Sequence, residues 1–167
     1  MMDNLPLNGK LVSASRTSLS QLMQPEHANN YGNVHGGWIM KLVDEAGALA
    51  CMRHAGRRVV TVEVDTFTFR HPIRIGDLVI LTAEVSYVGR SSLEAEVKVT
   101  AENPITGQRF DTNTAYIVYV ALDDEGHPTQ VPPLIPDTDA QRLRMEEGRI
   151  RQETRKLKDQ HSIKSQV

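Results

Sequence analysis

The sequence has one cysteine and no long apolar segment. Because Cys51 is the only thiol in 167 residues, no disulfide bond can form within the chain. This is typical of a reducing compartment, and we expect a cytoplasmic protein. No stretch approaches the roughly 20 apolar residues of a membrane span. Residues 1–20 also lack the continuous apolar core of a secretory signal. We therefore expect neither a membrane helix nor a cleaved leader.

The chain also lacks an excess of charge of either sign. Its formal net charge is −2, with 19 basic and 21 acidic residues. Neither nucleic acid nor an anionic membrane is therefore expected as the main partner. Hydrophobic residues make up 40% and charged residues 24% of the sequence, which is typical of a globular protein. The length suits one domain with a substantial core.

Several familiar catalytic and binding motifs are missing. There is no Gly-x-Ser-x-Gly nucleophile elbow and no Walker phosphate-binding loop. The six histidines do not cluster with one another, or with the cysteine, at the spacings that metal sites use. We therefore expect no metal site and no bound cofactor.

One stretch, "ANNYGNVHGGWIMKLVDEAGALACM" at residues 28–52, differs from the rest of the chain. From Gly36 onward it is rich in Ala, Leu and Met, which predicts a long buried helix with Gly56 as a C-cap candidate. This helix opens on two adjacent glycines, Gly36 and Gly37, and carries Asp44 in an apolar setting. Both features are candidates for chemistry.

The helix is followed by segments with the alternation of β-strands. "SLEAEVKVTAE", residues 92–102, alternates apolar and polar side chains, which indicates an antiparallel strand with one buried face. "DLVILTAEVSYV" alternates likewise, with Val79, Leu81, Ala83, Val85 and Tyr87 inward. "GRSS" joins these two strands as a hairpin. "QRFDTNTAYIVYVALD", residues 108–123, predicts a further long strand, and "LSQLM", residues 19–23, could pair as an edge strand.

The first strand after the helix changes phase. In "VVTVEVDTFTFRHP" the valines at 60, 62 and 64 are even-numbered, whereas the phenylalanines at 67 and 69 are odd-numbered. A bulge near Asp65 and Thr66 would reconcile the two sets, and bulges often lie beside functional sites. A strand buried on both faces explains the pattern equally well.

The chain ends in a charged segment that follows the Pro-rich "HPTQVPPLIPD". "TDAQRLRMEEGRIRQETRKLKDQ" favours a helix whose apolar residues, Leu143, Ile150 and Leu157, recur every seven positions. So thin a stripe indicates a solvated helix lightly docked on its own domain, not a coiled coil. The predicted fold class is α+β, with one long helix across a curled antiparallel sheet. We divide the chain into a tail (1–14), a domain (15–135) and the charged helix with its tail (136–167).

Two features of the long helix could carry chemistry. Bare backbone amides at its N-terminus could polarise an ester or thioester carbonyl, although glycines alone are explained more simply by a tight turn into the helix. Asp44 could act as a general base on water or attack an acyl carbon, although a solvated stripe with Lys41 and Glu45 is the simpler interpretation. We expect the small residues Gly47 and Ala48 to leave space around this carboxylate.

Taken together, these segments resemble the hotdog-fold acyl-CoA thioesterases, in particular the cytosolic acyl-CoA hydrolase branch. The motifs that carry the resemblance are "PEHANNYGNVHGGWIMKLVDEAG", "VVTVEVDTFTFRHPIRIGDLV", "VGRSSLEAEVKV" and "NTAYIVYVALDDEGHP", and they lie within residues 15–135. A lone His-Gly-Gly is not specific, but this order of motifs is. The resemblance implies a helix wrapped by an antiparallel sheet, with active sites at the interface of a homodimer and often a trimer of dimers.

The resemblance also implies roles for particular residues. Asn29 and Asp44 would form the catalytic pair, and the Gly37 amide would polarise the thioester carbonyl. Arg90, Ser91 and Ser92 would hold the phosphates of CoA. The residues that support the start of the helix would be Asn33, His35 and Gly36.

The spacing within the helix favours a dimer independently. Asp44 lies seven residues beyond Gly37, about 10 Å along a helix axis. One thioester carbon cannot easily contact both groups of the same helix, whereas two antiparallel helices related by a twofold axis could supply one group each.

The expected activity is hydrolysis of acyl-CoA to a free acid and CoA. The alternatives are a hotdog hydratase or dehydratase acting on acyl thioesters, and a non-catalytic acyl-CoA-binding regulator. The charged C-terminal helix could instead bind a regulatory nucleotide or another protomer.

Overall fold

The structure, a computed structural model, describes residues 7–164, with side chains described as far as residue 158. Residues 1–6 and 165–167, which belong to the two predicted tails, lie outside the described residues. In chain order the elements are β1 (Lys10–Leu11), α1 (Val12–Ser15), β2 (Thr17–Leu22), a 3-10 turn (Pro25–His27), α2 (Gly36–Ala55), β3 (Arg58–Phe67), β4 (Leu78–Val88), β5 (Ser92–Glu102), β6 (Arg109–Leu122), β7 (Leu134–Ile135) and α3 (Asp139–Lys164).

Five strands form one antiparallel sheet around α2. Its order is β2-β4-β5-β6-β3, which confirms both the predicted β4–β5 hairpin and the edge strand near residues 19–23. The predicted C-cap is also confirmed, because Gly56 has φ 67° and its N–H donates to the Met52 carbonyl at 2.8 Å. The predicted α+β architecture, a long helix wrapped by an antiparallel sheet, is therefore confirmed.

The hydrophobic core lies between α2 and the concave face of the sheet. It joins the buried side of the helix to the inward residues of the strands, among them Ile39, Val43, Ala46, Leu81, Val97 and Ile117. β1 pairs with β7 beside this core, and Val12 of α1 is buried, so the predicted boundary at residue 14 falls within a packed element. Across residues 7–164 we find no helix with the length and apolar character needed to span a bilayer.

β3 contains the predicted bulge and a second one. The register with β6 shifts between Val64 and Thr66, as predicted, and also between Thr61 and Glu63. As a result Thr61, and not Val60 or Val62, faces α2. The even-numbered valines of the sequence pattern are therefore not the residues of β3 that face α2. In β4 a similar shift after Val85 turns Tyr87 away from the core to the α3 side, so its predicted inward position is wrong.

α3 is helical as predicted, but the prediction that it is lightly docked is wrong. The apolar stripe does face outward, since Leu143 and Ile150 are 62% and 52% exposed. The opposite face of the helix packs on the convex side of the sheet through arginine–carboxylate pairs. Arg144 pairs with Glu84 at 2.5 Å, and Arg151 pairs with Glu94 at 2.7 Å.

The centre of this ionic layer is buried. Glu94 is 1% exposed and accepts hydrogen bonds from Ser86, Arg151 and Arg155. Arg155 is 7% exposed and also contacts Asp65 at 2.8 Å, so the bulge of β3 supplies one carboxylate. Because every buried charge here has partners of opposite sign, the helix can dock without an apolar face.

Gly148 allows α3 to approach the sheet, and its replacement should weaken the docking. A Cβ at this position would lie 2.6 Å from Cβ of Tyr87 and 3.1 Å from Oε1 of Glu94. Overpacking of this kind costs about 1–3 kcal/mol, which exceeds the gain of about 1 kcal/mol in helix propensity. We expect Gly148→Ala to lower the free energy of unfolding, measured by chemical denaturation.

The matched control for this variant is Lys156→Ala, which changes an exposed position of the same helix. It should leave the free energy of unfolding within about 0.5 kcal/mol of wild type. A Gly148→Ala protein more stable than wild type would show that α3 does not dock as closely as the structure indicates.

Candidate active site

The start of α2 is capped by His35. Its Nδ1 accepts a hydrogen bond of 2.9 Å from the Gly37 N–H. The predicted oxyanion donor is thus occupied in this structure by a side chain of the same chain. Within the described residues the Gly36 N–H donates no hydrogen bond, as expected for the first turn of a helix. The helix N-terminus therefore retains one bare amide, one residue before the predicted one.

A pocket of about 340 Å³ opens beside this first turn. Three predicted residues line it, Asn29, Asn33 and Gly36, and its apolar walls include Ile39 and Phe69. A methyl group on Gly36 would lie 3.1 Å from Cζ of Phe69, so glycine permits this ring to lie close over the helix start. A pocket whose walls combine apolar side chains with several polar groups is typical of small-molecule sites.

Asn29 holds the loop that leads into α2. Its side-chain Oδ1 accepts hydrogen bonds from the backbone N–H of Tyr31 at 2.9 Å and of Asn33 at 3.2 Å. These two donors fix the orientation of the amide, because Oδ1 must face them. Among the described residues no acceptor is found for Nδ2. The NH2 group of Asn29 is therefore free to donate to a ligand.

Asp44 lies in the middle of α2 and is anchored from the sheet. Its Oδ1 accepts hydrogen bonds from the Thr61 hydroxyl at 2.7 Å and from the Tyr119 hydroxyl at 3.2 Å. The Tyr119 hydroxyl also donates to the backbone carbonyl of Asp44 at 2.9 Å. Asp44 is partly exposed, and no hydrogen bond to its Oδ2 is found among the described residues. One carboxylate oxygen is thus held and the other is open.

The sequence did not reveal Thr61 and Tyr119. The two residues are paired across β3 and β6, so one register brings both hydroxyls to Asp44. The bulge after Thr61 determines this register. The sequence gives no sign of the bulge, because the even-numbered valines alternate without interruption. One signal in the sequence could have indicated them. Two predicted strands each carry a hydroxyl-bearing residue, and the helix they pack on carries a carboxylate with no evident partner.

The expectation that Gly47 leaves open space around the carboxylate is wrong. A Cβ at Gly47 would lie 2.5 Å from the Tyr119 hydroxyl and 3.2 Å from its ring. The absent side chain is therefore the room in which the Tyr119 ring lies. Gly47 thus serves the anchoring of Asp44.

Two buried groups near the centre of α2 have perturbed pKa values. Burial raises the pKa of Tyr119 well above its ordinary value, and the Asp44 carboxylate raises it further. Tyr119 therefore remains a hydrogen-bond donor. Burial, together with the negative charge of Glu94, likewise raises the pKa of Cys51. A buried thiol of this kind is not a nucleophile.

The GRSS turn joins β4 and β5 as predicted and is held by backbone hydrogen bonds. The Val131 N–H donates to the Arg90 carbonyl at 3.0 Å, and the Ala121 N–H donates to the Ser91 carbonyl at 2.9 Å. The Ser92 hydroxyl accepts from Gln152 of α3 at 3.1 Å. The Arg90 side chain is exposed and forms no ion pair with any described residue. The guanidinium of Arg90 is therefore available to an anion.

A single chain does not bring all the predicted residues together. Asn29, Asn33 and Gly36 share the pocket at the start of α2, whereas Asp44 is not part of its lining. Seven residues of helix separate Gly37 from Asp44, about 10 Å along the axis. Arg90 and Ser91 lie on the separate turn between β4 and β5, and Ser92 is the first residue of β5. The chain thus presents parts of a site at separate places.

β3, which carries Thr61, is an edge strand with an apolar surface. It pairs with β6 on one side only, and its valines 60, 62 and 64 are 43%, 55% and 43% exposed. Unpaired edges with exposed valines are prone to associate with another chain. The surface beside the Asp44 cluster is therefore suited to association.

Comparison with known proteins finds similar sequences and structures. Residues 31–108 match the family model described as the thioesterase superfamily. The rat cytosolic acyl coenzyme A thioester hydrolase is 36% identical over 151 residues, or 89% of this chain. The chain spans 40% of the length of that relative.

Similar solved structures cover nearly the whole chain. An acyl-CoA hydrolase from Staphylococcus aureus, solved with butyryl coenzyme A and coenzyme A, has a TM-score of 0.85 and 33% identity, covering 93% of this chain and 95% of that one. Variants of that hydrolase with alanine in place of one Asp, one Asn or one Thr have also been solved. A hexameric acyl-CoA thioesterase has a TM-score of 0.87 and 33% identity, covering 92% of this chain and 98% of that one.

Proposed function

This chain belongs to the hotdog-fold thioesterase superfamily, and on that premise we propose that it hydrolyses acyl-CoA thioesters to a free carboxylic acid and CoA. The observation that carries the proposal is the hydrogen bonding of the Asp44 carboxylate. One of its oxygens is held by two hydroxyls, and the other has no partner among the described residues. A fixed carboxylate with an open oxygen can activate a water molecule or attack an acyl carbon.

In the hydrolysis, the thioester carbon gains an oxygen and the bond to sulfur breaks. With Asp44 as a general base, a water proton passes to the carboxylate, and the hydroxide adds to the carbonyl. With Asp44 as a nucleophile, an acyl anhydride forms first and water then cleaves it. In the first route the proton taken up by Asp44 passes to the departing sulfur, which leaves as CoA thiol. In the second route the thiolate takes up a proton from solvent, and the water that cleaves the anhydride replaces that proton and regenerates the Asp44 carboxylate.

We assign the oxyanion contact to the N-terminus of α2. The backbone amides there carry the positive end of the helix dipole and favour an oxygen that gains negative charge. For Gly37 to serve, the thioester oxygen must replace His35 Nδ1 as the acceptor of its N–H. The free NH2 group of Asn29, which lines the same pocket, would orient the thioester or the attacking water.

We infer that the active site is shared between two copies of this chain. One copy would supply Asn29 and the helix N-terminus, and the other would supply Asp44. The separation of these groups within one chain and the exposed edge of β3 both support this arrangement. The hexameric neighbour is consistent with a trimer of dimers. The rat relative is named cytosolic, and we propose the same compartment for this protein.

We place the phosphates of CoA at the GRSS turn. Arg90→Ala should raise KM about tenfold while changing kcat little, because contacts remote from the thioester chiefly affect ground-state binding. The effect should shrink as salt is added, since the guanidinium is exposed. Initial rates against acyl-CoA concentration at low and high salt would measure both quantities.

The control for Arg90→Ala is Arg109→Ala, an exposed arginine paired with Glu102 at the opposite end of β5. It should leave KM unchanged. If both variants gave the wild-type KM at low salt, Arg90 would not belong to the CoA site.

A regulatory nucleotide finds no support in the C-terminal helix. The arginines of α3 at 144, 151 and 155, which could have bound phosphate, are paired with carboxylates of the sheet. The role of α3 is therefore assigned to packing on the sheet and to the contact of Gln152 with Ser92.

The proposed activity is tested by release of free thiol from saturated acyl-CoAs of several chain lengths, followed with a thiol reagent. Steady release beyond one equivalent supports hydrolysis. Conversion of enoyl-CoA or hydroxyacyl-CoA without thiol release would instead show a hydratase or dehydratase. Binding of acyl-CoA with no turnover of any of these compounds would show a non-catalytic regulator.

A further inference from the structure

We propose that Tyr119 is a positioning residue that, together with Thr61, fixes Oδ1 of Asp44 and so makes Oδ2 the oxygen that reacts. This inference rests on the proposed function, since it names the reacting atom of that site. Both hydroxyls reach the same oxygen, Thr61 at 2.7 Å and Tyr119 at 3.2 Å. A carboxylate that could otherwise rotate about its terminal torsion is thereby limited to one orientation.

The Tyr119 contact holds the side chain relative to the helix itself. Its hydroxyl hydrogen is shared between Oδ1 and the backbone carbonyl of Asp44, the latter at 2.9 Å. Because the carbonyl belongs to the rigid helix, the hydroxyl is fixed in space, and Oδ1 is fixed by the hydroxyl. Tyr119 itself is fully buried, so its ring has little freedom to move.

Gly47 is the second part of this arrangement. The helix can accept the Tyr119 hydroxyl next to Asp44 only because Gly47 has no side chain there. A helix interior favours alanine over glycine by about 1 kcal/mol. The glycine is therefore explained by the room that the ring requires and not by helix formation.

Fixing Oδ1 has a chemical consequence. An oxygen that accepts two hydrogen bonds is less basic and less nucleophilic than its free partner. The open oxygen, Oδ2, thus takes the proton of water or attacks the acyl carbon. Preorganised orientation lowers the barrier of the chemical step and contributes little to substrate binding.

The test compares Tyr119→Phe with Tyr116→Phe. Tyr116 lies on the same strand, but its hydroxyl donates to Glu96 at 3.0 Å on the α3 side of the sheet. Each variant therefore loses one tyrosine–carboxylate hydrogen bond, and only the first loses it at Asp44. We expect kcat to fall about tenfold in Tyr119→Phe, with KM within about twofold of wild type. Tyr116→Phe should retain wild-type kcat.

A second pair of variants guards against simple loss of folding. Thr61→Ser keeps a hydroxyl and should retain kcat within about threefold, whereas Thr61→Val should lose about tenfold or more. Gly47→Ala should also lower kcat, because its Cβ would displace the Tyr119 hydroxyl. Equal kcat in Tyr119→Phe and Tyr116→Phe, or in Thr61→Ser and Thr61→Val, would overturn the proposal.

A crystal structure of Tyr119→Phe separates this inference from the proposed function. If Asp44 is held as proposed, its carboxylate rotates or becomes mobile in the variant. A carboxylate unchanged from wild type would overturn the anchoring, whatever the activity. A wild-type enzyme that releases no thiol would overturn the proposed hydrolysis, and the crystal structure would still decide the anchoring.

Discussion

Asp44→Ala should reduce kcat for acyl-CoA hydrolysis by about a thousandfold, the range expected when a general base or a nucleophile is removed. The fold should persist. Asp44 is partly exposed, and the Tyr119 hydroxyl keeps its bond to the backbone carbonyl of residue 44. Size-exclusion chromatography and thermal unfolding would check the fold, and thiol release would measure kcat.

The matched control is Glu45→Ala. Glu45 is the next residue of the same helix, is exposed, and pairs with Lys41 at 2.7 Å. Removing this carboxylate changes the charge by the same amount without touching the Asp44 cluster, so kcat should stay near wild type. Near wild-type turnover in Asp44→Ala would remove this residue from the chemistry.

The main elements could be predicted from the sequence because their patterns are local. α2 shows a long apolar composition with a glycine after it, and β4 and β5 alternate on either side of a three-residue turn. Asp44 was conspicuous because a carboxylate in an apolar helix needs a reason. These signals depend on neighbours in sequence, so no knowledge of tertiary structure was required.

The anchoring of Asp44 could not be predicted because it depends on strand register. Two bulges in β3 decide that Thr61 lies opposite Tyr119 and faces the helix. The alternation in the sequence predicts instead that the even-numbered valines face the helix. Gly47 was misread for the same reason, since the ring that fills its space comes from a strand 72 residues later.

The docking of α3 was missed because its packing face is charged. Its arginines read as a solvated surface when their partners are unknown, and the buried carboxylates of β4 and β5 read as the outer face of a half-exposed sheet. Only the three-dimensional structure shows that the two sets of charges meet. Gly148 marks the contact, but a glycine in a charged helix has no unique interpretation in sequence.

In the proposed shared site Asn29 acts from the other chain, and its loss should also lower kcat strongly. Asn29→Ala removes the free NH2 group and also the acceptor that holds the loop. Asn29→Asp is the sharper variant, because its oxygen can still accept from Tyr31 and Asn33 while the NH2 donor is lost. We expect a loss of kcat of about a hundredfold or more in both variants, with the loop preserved in the second.

If the site is shared between two chains, the two defective proteins should complement each other. Each dimer has two sites, and each chain gives its Asn29 to one site and its Asp44 to the other. A mixed dimer then contains one site with both lesions and one site with neither. With random mixing about half of the dimers are mixed, so about a quarter of wild-type activity should return.

The most direct test of the shared active site is therefore the activity of Asn29→Asp and Asp44→Ala unfolded and refolded together in equal amounts. Differently tagged chains, analysed by native mass spectrometry, verify that mixed dimers have formed, because an assembly built from dimers holds an odd number of each chain only when it contains a mixed dimer. The account predicts about a quarter of wild-type activity in the randomly mixed sample. Mixed dimers no more active than the separate variants would contradict a site built from two chains.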